Sequence, residues 1–186
     1  EISSEKTYLD DFIFHDKLIT TLKVFLENPE IIQETPILCF HGFPGVGKTS
    51  LSKVMCDDLC SDVHYCPMNE RSLSNGFIDT TIKPLLRTRP VISDVDKVFS
   101  RGIILDEFHN LTPKDQDRFK VVFDDVINNE LETLVVVCLN TTTTKGVDKC
   151  LTKPIYSRVH PIDFNIPDRR DELYQVIDKV MEKFPS

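Results

Sequence analysis

Nothing in this chain is apolar for the roughly 18 to 20 consecutive residues that a membrane-crossing helix needs, and its first residues carry no basic-then-apolar leader. Positive charge is also short. Against 30 Asp and Glu stand 22 Lys and Arg, for a net charge of -8 and a pI near 5.1. That balance excludes a uniformly basic nucleic-acid-binding surface, but not a small basic patch or contact made through a larger assembly. Closely paired cysteines are missing too. Cys56, Cys60, His64 and Cys66 come nearest to a zinc set, yet the second half lacks a C-x₂-C or H-x₃-H pair. Cys39 and Cys138 sit in apolar runs, where a thiol behaves as a small hydrophobe. Reduced structural thiols are therefore expected, in a soluble intracellular protein, cytoplasmic or nuclear. Glycine is scarce, with six in all, and three of them fall between residues 42 and 47.

Those three belong to Gly42-Phe43-Pro44-Gly45-Val46-Gly47-Lys48-Thr49, a complete G-x-x-x-x-G-K-[ST] phosphate loop. Glycines let successive backbone N–H groups converge on one anion at the start of a helix. The spacing sets Lys48 to reach the β- and γ-phosphates and Thr49 to hold Mg²⁺, with the loop backbone from Phe43 to Ser50 around them. The context fits: Ile37 to Phe40 reads as a buried strand and Ser50 to Leu59 as a helix with Leu51, Val54, Met55 and Leu59 on one face.

The 186 residues suffice for one α/β domain. Helical spacing runs from Asp16 to Asn28-Pro29. Val63 to Met68 is a short strand, and residues 74 to 87 form a helix interrupted or ended near Pro84. Gly102 to Leu105 and Leu134 to Leu139 are buried strands, and Thr112-Pro113 opens a helix to about Asn128. Residues 141 to 153 read as a polar connection and Pro161 to Phe164 as a last strand. Asp168 caps a final helix with Leu173, Val176, Ile177 and Val180 on one face. Strands separated by helices predict a three-layer αβα sandwich around a mostly parallel five-stranded sheet, with nucleotide at its carboxyl edge.

Phosphoryl transfer to water needs positioning, charge neutralisation and an oriented water. Asp106 and Glu107 close the run Gly-Ile-Ile-Leu-Asp-Glu. Alone, such a pair is an ordinary solvated turn. One α/β unit after a phosphate loop it has a metal to serve, with Asp106 in the magnesium shell and Glu107 as general base. Asn140, at the next strand end, is placed either to hold the water against Glu107 or to touch the γ-phosphate. Arg158 carries the guanidinium suited to charge on equatorial phosphate oxygens, and on periodicity alone is equally a surface ion-pair partner.

These motifs together resemble an AAA+ ATPase, within it the clamp-loader (replication factor C) small-subunit branch. Pro44 gives the loop its AAA+ form. Leu9 to Phe12 ahead of His15 to Leu18 resembles the segment lining the adenine pocket. Met68 to Ser72, then Gly76 to Asp79 and Ile82, resembles the clamp-loader stretch that begins Asn-Ala-Ser-Asp, although the Ser-Asp is absent. Ile103 to Thr112 resembles the Asp-Glu box, and Asn140 falls at sensor 1. Ser157-Arg158-Val159 falls where clamp loaders carry Ser-Arg-Cys.

The resemblance implies ATP and Mg²⁺ as ligands and Arg158 as a finger acting in trans on a neighbouring subunit. It also implies Asn69 as a polar switch on the base. The expected organisation is a nucleotide-binding core over 1–167, then residues 168–186 as the start of a lid in which Arg169 and Arg170 fall too early for a second sensor. Implied partners are other AAA+ subunits, with a sliding clamp and DNA through the full assembly. A viral or organellar remodeller or helicase-like NTPase, and a nucleotide-binding scaffold subunit with little turnover, are the alternatives.

Overall fold

Alternating side chains along the strands decide the layers. In the computed structural model, which describes residues 12, 14–68, 76–88, 96–128, 132–165 and 170–183, five strands form one sheet. They are β1 (Ile37–Gly42), β2 (Val63–Pro67), β3 (Arg101–Asp106), β4 (Thr133–Asn140) and β5 (His160–Asp163), in the order β2-β3-β4-β1-β5. Every neighbouring pair is parallel. Along β4, Val135, Val137 and Leu139 enter one core cluster, and Leu134, Val136 and Cys138 enter the other. A strand covered on both faces has no polar face to show, which is why these segments are continuous apolar runs. Pro161 is tolerated because β5 is an edge.

The helices are α1 (Asp16–Glu27), α2 (Pro29–Glu34), α3 (Lys48–Leu59), α4 (Lys83–Arg87), α5 (Pro113–Asn128), α6 (Val147–Cys150), α7 (Lys153–Tyr156) and α8 (Arg170–Lys183). On one face α1 buries Leu18, Leu22 and Phe25 in the same cluster as Leu51, Met55 and Cys56 of α3. On the other, α5 buries Phe119, Val122, Phe123 and Val126, and Phe108 packs edge-on to Phe119 with ring centres 5.3 Å apart. The result is the three-layer sandwich that the alternation of elements predicts.

Several local expectations change. Pro29 ends α1 and then starts α2 at a first-turn position, where its missing N–H costs nothing. Of the two readings at Pro84, interruption holds and termination does not. A π turn over Ile78–Ile82 runs straight into α4, which carries Pro84 in its first turn and continues to Arg87. Residues 141 to 153 are more than a polar connection. They hold α6 and the start of α7, pinned by the buried Gln116 of α5, which donates to the Cys150 carbonyl and accepts the Thr152 N–H, both at 2.9 Å. Val54 is only half-buried. Asp168 lies outside the described residues, as do Asn69 to Ser72. On α8, Ile177 and Val180 are exposed, and Lys179 ties the helix to Asp16 at 2.6 Å.

All six cysteines are free thiols and all are buried. Burial pushes the Cys66 thiol up to about 11 and Cys138 up to about 12, so neither forms a thiolate at neutral pH. Among the described residues no group of His, Cys, Asp or Glu is arranged to hold a metal through three or more ligands. Dithiobisnitrobenzoate is therefore expected to label the native protein slowly and to titrate six thiols once denaturant is added. Two or more thiols reacting at once in the native protein would contradict this packing.

Candidate functional site

Parallel strands end on the same edge, so residues far apart in the chain meet there. Gly42 ends β1 and is paired in register with Asn140 at the end of β4, and Asp106 ends β3 beside it. Between β1 and α3 the chain turns through Gly45 and Gly47, with φ of +80° and +93°. Gly47 is also the N-cap of α3. A side chain there would need an unfavourable left-handed backbone and would press on Phe14, whose ring edge lies 3.3 Å from an ideal Cβ position. The first turn of α3 thus opens on a cavity of about 350 Å³.

That cavity is lined by Pro44, Gly45, Gly47, Lys48, Thr49, Ser50, Asp106, Glu107, His109, Cys138 and Asn140. Phe43 and Val46 do not line it. The Phe43 N–H is taken by Asn165 Oδ1 at 2.7 Å, and Val46 packs against the core cluster beneath α1 and α3. Arg158 does not line it either.

Lys48 is buried, and its ammonium donates to the carbonyls of Gly42 at 3.0 Å and Phe43 at 2.7 Å. Burial lowers its pKa, with Cys138 and Asp106 opposing. The Thr49 hydroxyl donates to Asp106 Oδ2 at 3.0 Å, and the same oxygen accepts the Tyr65 hydroxyl at 2.8 Å. Tyr65 is pushed up to about 12, by burial first and by this carboxylate next, and so remains a donor. Lys53 stands over its ring at 4.2 Å, a cation–π contact that steadies it. Thr49 and Asp106 form a hard-oxygen pair of the kind that binds Mg²⁺ through one or two protein ligands, with water and phosphate supplying the rest.

Glu107 has the one positive φ among the described non-glycine residues, +55°. The left-handed region costs such a residue roughly 1–2 kcal/mol. The strain is offset locally, because Asp106 Oδ1 accepts the Glu107 N–H at 2.8 Å. The turn puts the Glu107 carboxylate at the cavity, with Asn110 Nδ2 at 3.4 Å from Oε2. Asn140 faces it from β4, and the His109 ring lies against Asn140.

Arg158 follows α7 and forks onto Asp124 of α5, with Nε 2.6 Å from Oδ1 and Nη2 3.2 Å from Oδ2. It also donates to the Pro154 carbonyl at 2.6 Å. This fork holds the Asp124 carboxyl below its ordinary range. Sequence periodicity gives no sign of Tyr65, His109 or Asn165 as parts of the site. Their partners lie 41, 31 and 122 residues away, and only the sheet register brings them together.

Residues 38–161 match the family described as the ATPase family associated with various cellular activities (AAA). The chain belongs to the AAA family. A replication factor C small subunit of Methanococcus vannielii is 27% identical over 181 residues, covering 94% of this chain and 51% of that protein. A Holliday junction branch migration complex subunit RuvB of Paramagnetospirillum magneticum is 29% identical over 115 residues, covering 61% of this chain and 29% of that protein. This AAA chain thus spans about half the length of the replication factor C relative. Among solved structures, the Thermotoga maritima RuvB Holliday junction branch migration motor superposes with a TM-score of 0.58 at 17% identity, over 94% of this chain and 53% of that one. That likeness is one of fold, and it agrees with the parallel sheet and flanking helices described above.

Proposed function

We propose that this AAA chain binds ATP with Mg²⁺ in the cavity at the sheet edge and hydrolyses it at a subunit interface, driving remodelling of the clamp-loader type. The observation that carries the reading is the 3.0 Å contact between Thr49 and Asp106. It holds the Asp106 carboxylate against the first turn of α3, one residue after Lys48. The replication factor C relative that covers most of the chain supports the clamp-loader type.

Lys48 exchanges the carbonyls of Gly42 and Phe43 for β- and γ-phosphate oxygens, and N–H groups of the first turn of α3 take the remaining charge. Thr49, with Asp106 indirectly, would hold Mg²⁺, which would supply neutralisation of phosphate charge. Glu107 accepts the proton of a water as its oxygen bonds to the γ-phosphorus. The bond from that phosphorus to the β,γ-bridging oxygen breaks, leaving ADP and inorganic phosphate. Other AAA subunits are the expected partners, with Arg158 presented to a neighbour's nucleotide.

Titration calorimetry with MgATP tests the binding step on wild type and Lys48→Met. A charge-assisted hydrogen bond contributes about 1.5–3 kcal/mol, so the variant is expected to bind about tenfold to a hundredfold more weakly. Equal affinity in both proteins, or no saturable binding to wild type, would remove the nucleotide reading.

A further inference from the structure

The His109 ring and Asn140 meet twice. Nδ1 of His109 accepts the Asn140 backbone N–H at 3.1 Å, and Nε2 lies 3.4 Å from the amide end of the Asn140 carboxamide. A ring nitrogen that accepts a hydrogen bond carries no proton, so the neutral ring has its proton on Nε2. An Nε2–H cannot face an amide NH₂, since both are donors. A half-turn of the carboxamide resolves the conflict by bringing Oδ1 to Nε2. The NH₂ is then left for the cavity that both residues line.

We propose that His109 is the positioning residue that fixes the Asn140 carboxamide with its NH₂ turned into the cavity, which makes Asn140 a donor to a γ-phosphate oxygen. This rests on the reading of the cavity as an ATP site. It also favours one of the two uses open to Asn140. A water poised for attack commits one of its two lone pairs to phosphorus and one of its protons to Glu107, which leaves a neutral and weaker acceptor than an anionic phosphate oxygen. A terminal phosphate oxygen offers only lone pairs, and it is the natural partner of an NH₂.

The ring is held where this requires. His109 sits on the short 3₁₀ turn Phe108–Asn110, whose Phe108 is fully buried against Phe119 and Phe123. Burial lowers the His109 pKa. Glu107 and Asp106 oppose that and Lys48 and Lys145 add to it, with a net shift that favours the neutral ring. Phe108 is thus the anchor and His109 the arm, two adjacent residues that sequence spacing alone leaves without a role.

Two variants and one spectroscopic measurement test the proposal. His109→Phe keeps the ring volume and removes both nitrogens. His109→Gln keeps one acceptor and one donor. Long-range nitrogen–proton NMR of the ¹⁵N-histidine-labelled protein is expected to show His109 with a bare Nδ1 and a protonated Nε2. In the full-length protein, His109→Phe is expected to lower kcat at least tenfold, with MgATP affinity and melting temperature unchanged within threefold and two degrees or so. His109→Gln is expected to recover most of the loss. A proton on Nδ1, or His109→Phe turning over within twofold of wild type, would overturn the proposal. So would a parallel fall in ATP affinity and melting temperature that explained the loss of rate. If wild type itself fails to hydrolyse ATP, the ATPase reading falls instead. The NMR tautomer then still decides whether His109 sets the carboxamide.

Discussion

Glu107→Gln is expected to leave MgATP bound and to lower hydrolysis by roughly 10²–10⁴, the usual contribution of a positioned general base. The substitution is nearly isosteric. The left-handed turn at residue 107 depends on the backbone N–H reaching Asp106 Oδ1, a bond that the change does not touch. Thr49, Asp106 and Lys48, which form the phosphate side of the cavity, keep their contacts. What disappears is the carboxylate proposed to take the proton from water. The measurement is steady-state phosphate release beside equilibrium nucleotide binding, on the full-length assembled protein. Hydrolysis by the variant at the wild-type rate would show that Glu107 is not the base. Loss of binding together with rate would show that the turn had been disturbed rather than the chemistry.

The separation matters because Asp106 and Glu107 are neighbours with different surroundings. Asp106 is buried and accepts from Thr49, Tyr65 and the following backbone N–H. Three donors fix its orientation, which suits a metal shell. Glu107 is exposed, and its one described side-chain contact is a long one to Asn110. Its carboxylate is open to solvent and is not tied to a fixed set of donors. Two adjacent carboxylates thus differ in surroundings because one ends a strand and the other begins a left-handed turn.

Some of this architecture can be read along the chain, and some cannot. The phosphate loop is legible because its chemistry is contiguous: the residues that cradle an anion are separated by fixed short intervals. The central strands are legible because burial on both faces leaves β3 and β4 uniformly apolar. Asp106, Glu107 and Asn140 follow from those two facts, since each ends or follows a recognisable strand. Tyr65 is different. It reaches Asp106 because β2 pairs with β3 in a register that places Pro67 beside Asp106, and nothing local in Val63 to Pro67 announces that. Gln116 carries no sequence signal of its position. It is in fact buried, and it satisfies backbone groups of the segment before α7, which turns a polar stretch into an ordered one. Pro29 marks the end of α1 correctly but hides the start of α2, and Pro84 marks an interruption rather than an end. A proline ends one helix and is equally at home in the first turn of another, and only the packing of Ile32 and Leu86 into the core chooses between them.

Arg158→Ala is expected to lower hydrolysis by about 10³–10⁵ in the assembled protein, the range for an arginine supplied across an interface, with nucleotide affinity of the single subunit unchanged. In the structure the guanidinium is engaged by Asp124 and the Pro154 carbonyl. The Asp124 side chain is 40% exposed, so the pair is a surface one, stabilising by about 0–1 kcal/mol. A triphosphate presented by a neighbour is a stronger partner for the same planar fork. Asp124→Asn separates the two uses of Arg158. If the arginine serves a neighbour, Asp124→Asn retains hydrolysis or raises it a few-fold, whereas Arg158→Ala removes it. If the arginine only ties α7 to α5, the two variants lose stability together and neither changes the rate per folded subunit. Mixed assemblies give the decisive arrangement. Arg158→Ala subunits retain a complete cradle, and Lys48→Met subunits retain the arginine, so combining them is expected to restore turnover at the interfaces where a Lys48→Met subunit presents Arg158 to an Arg158→Ala neighbour. Mixtures no more active than the sum of their separate components would place the arginine outside the catalytic interface.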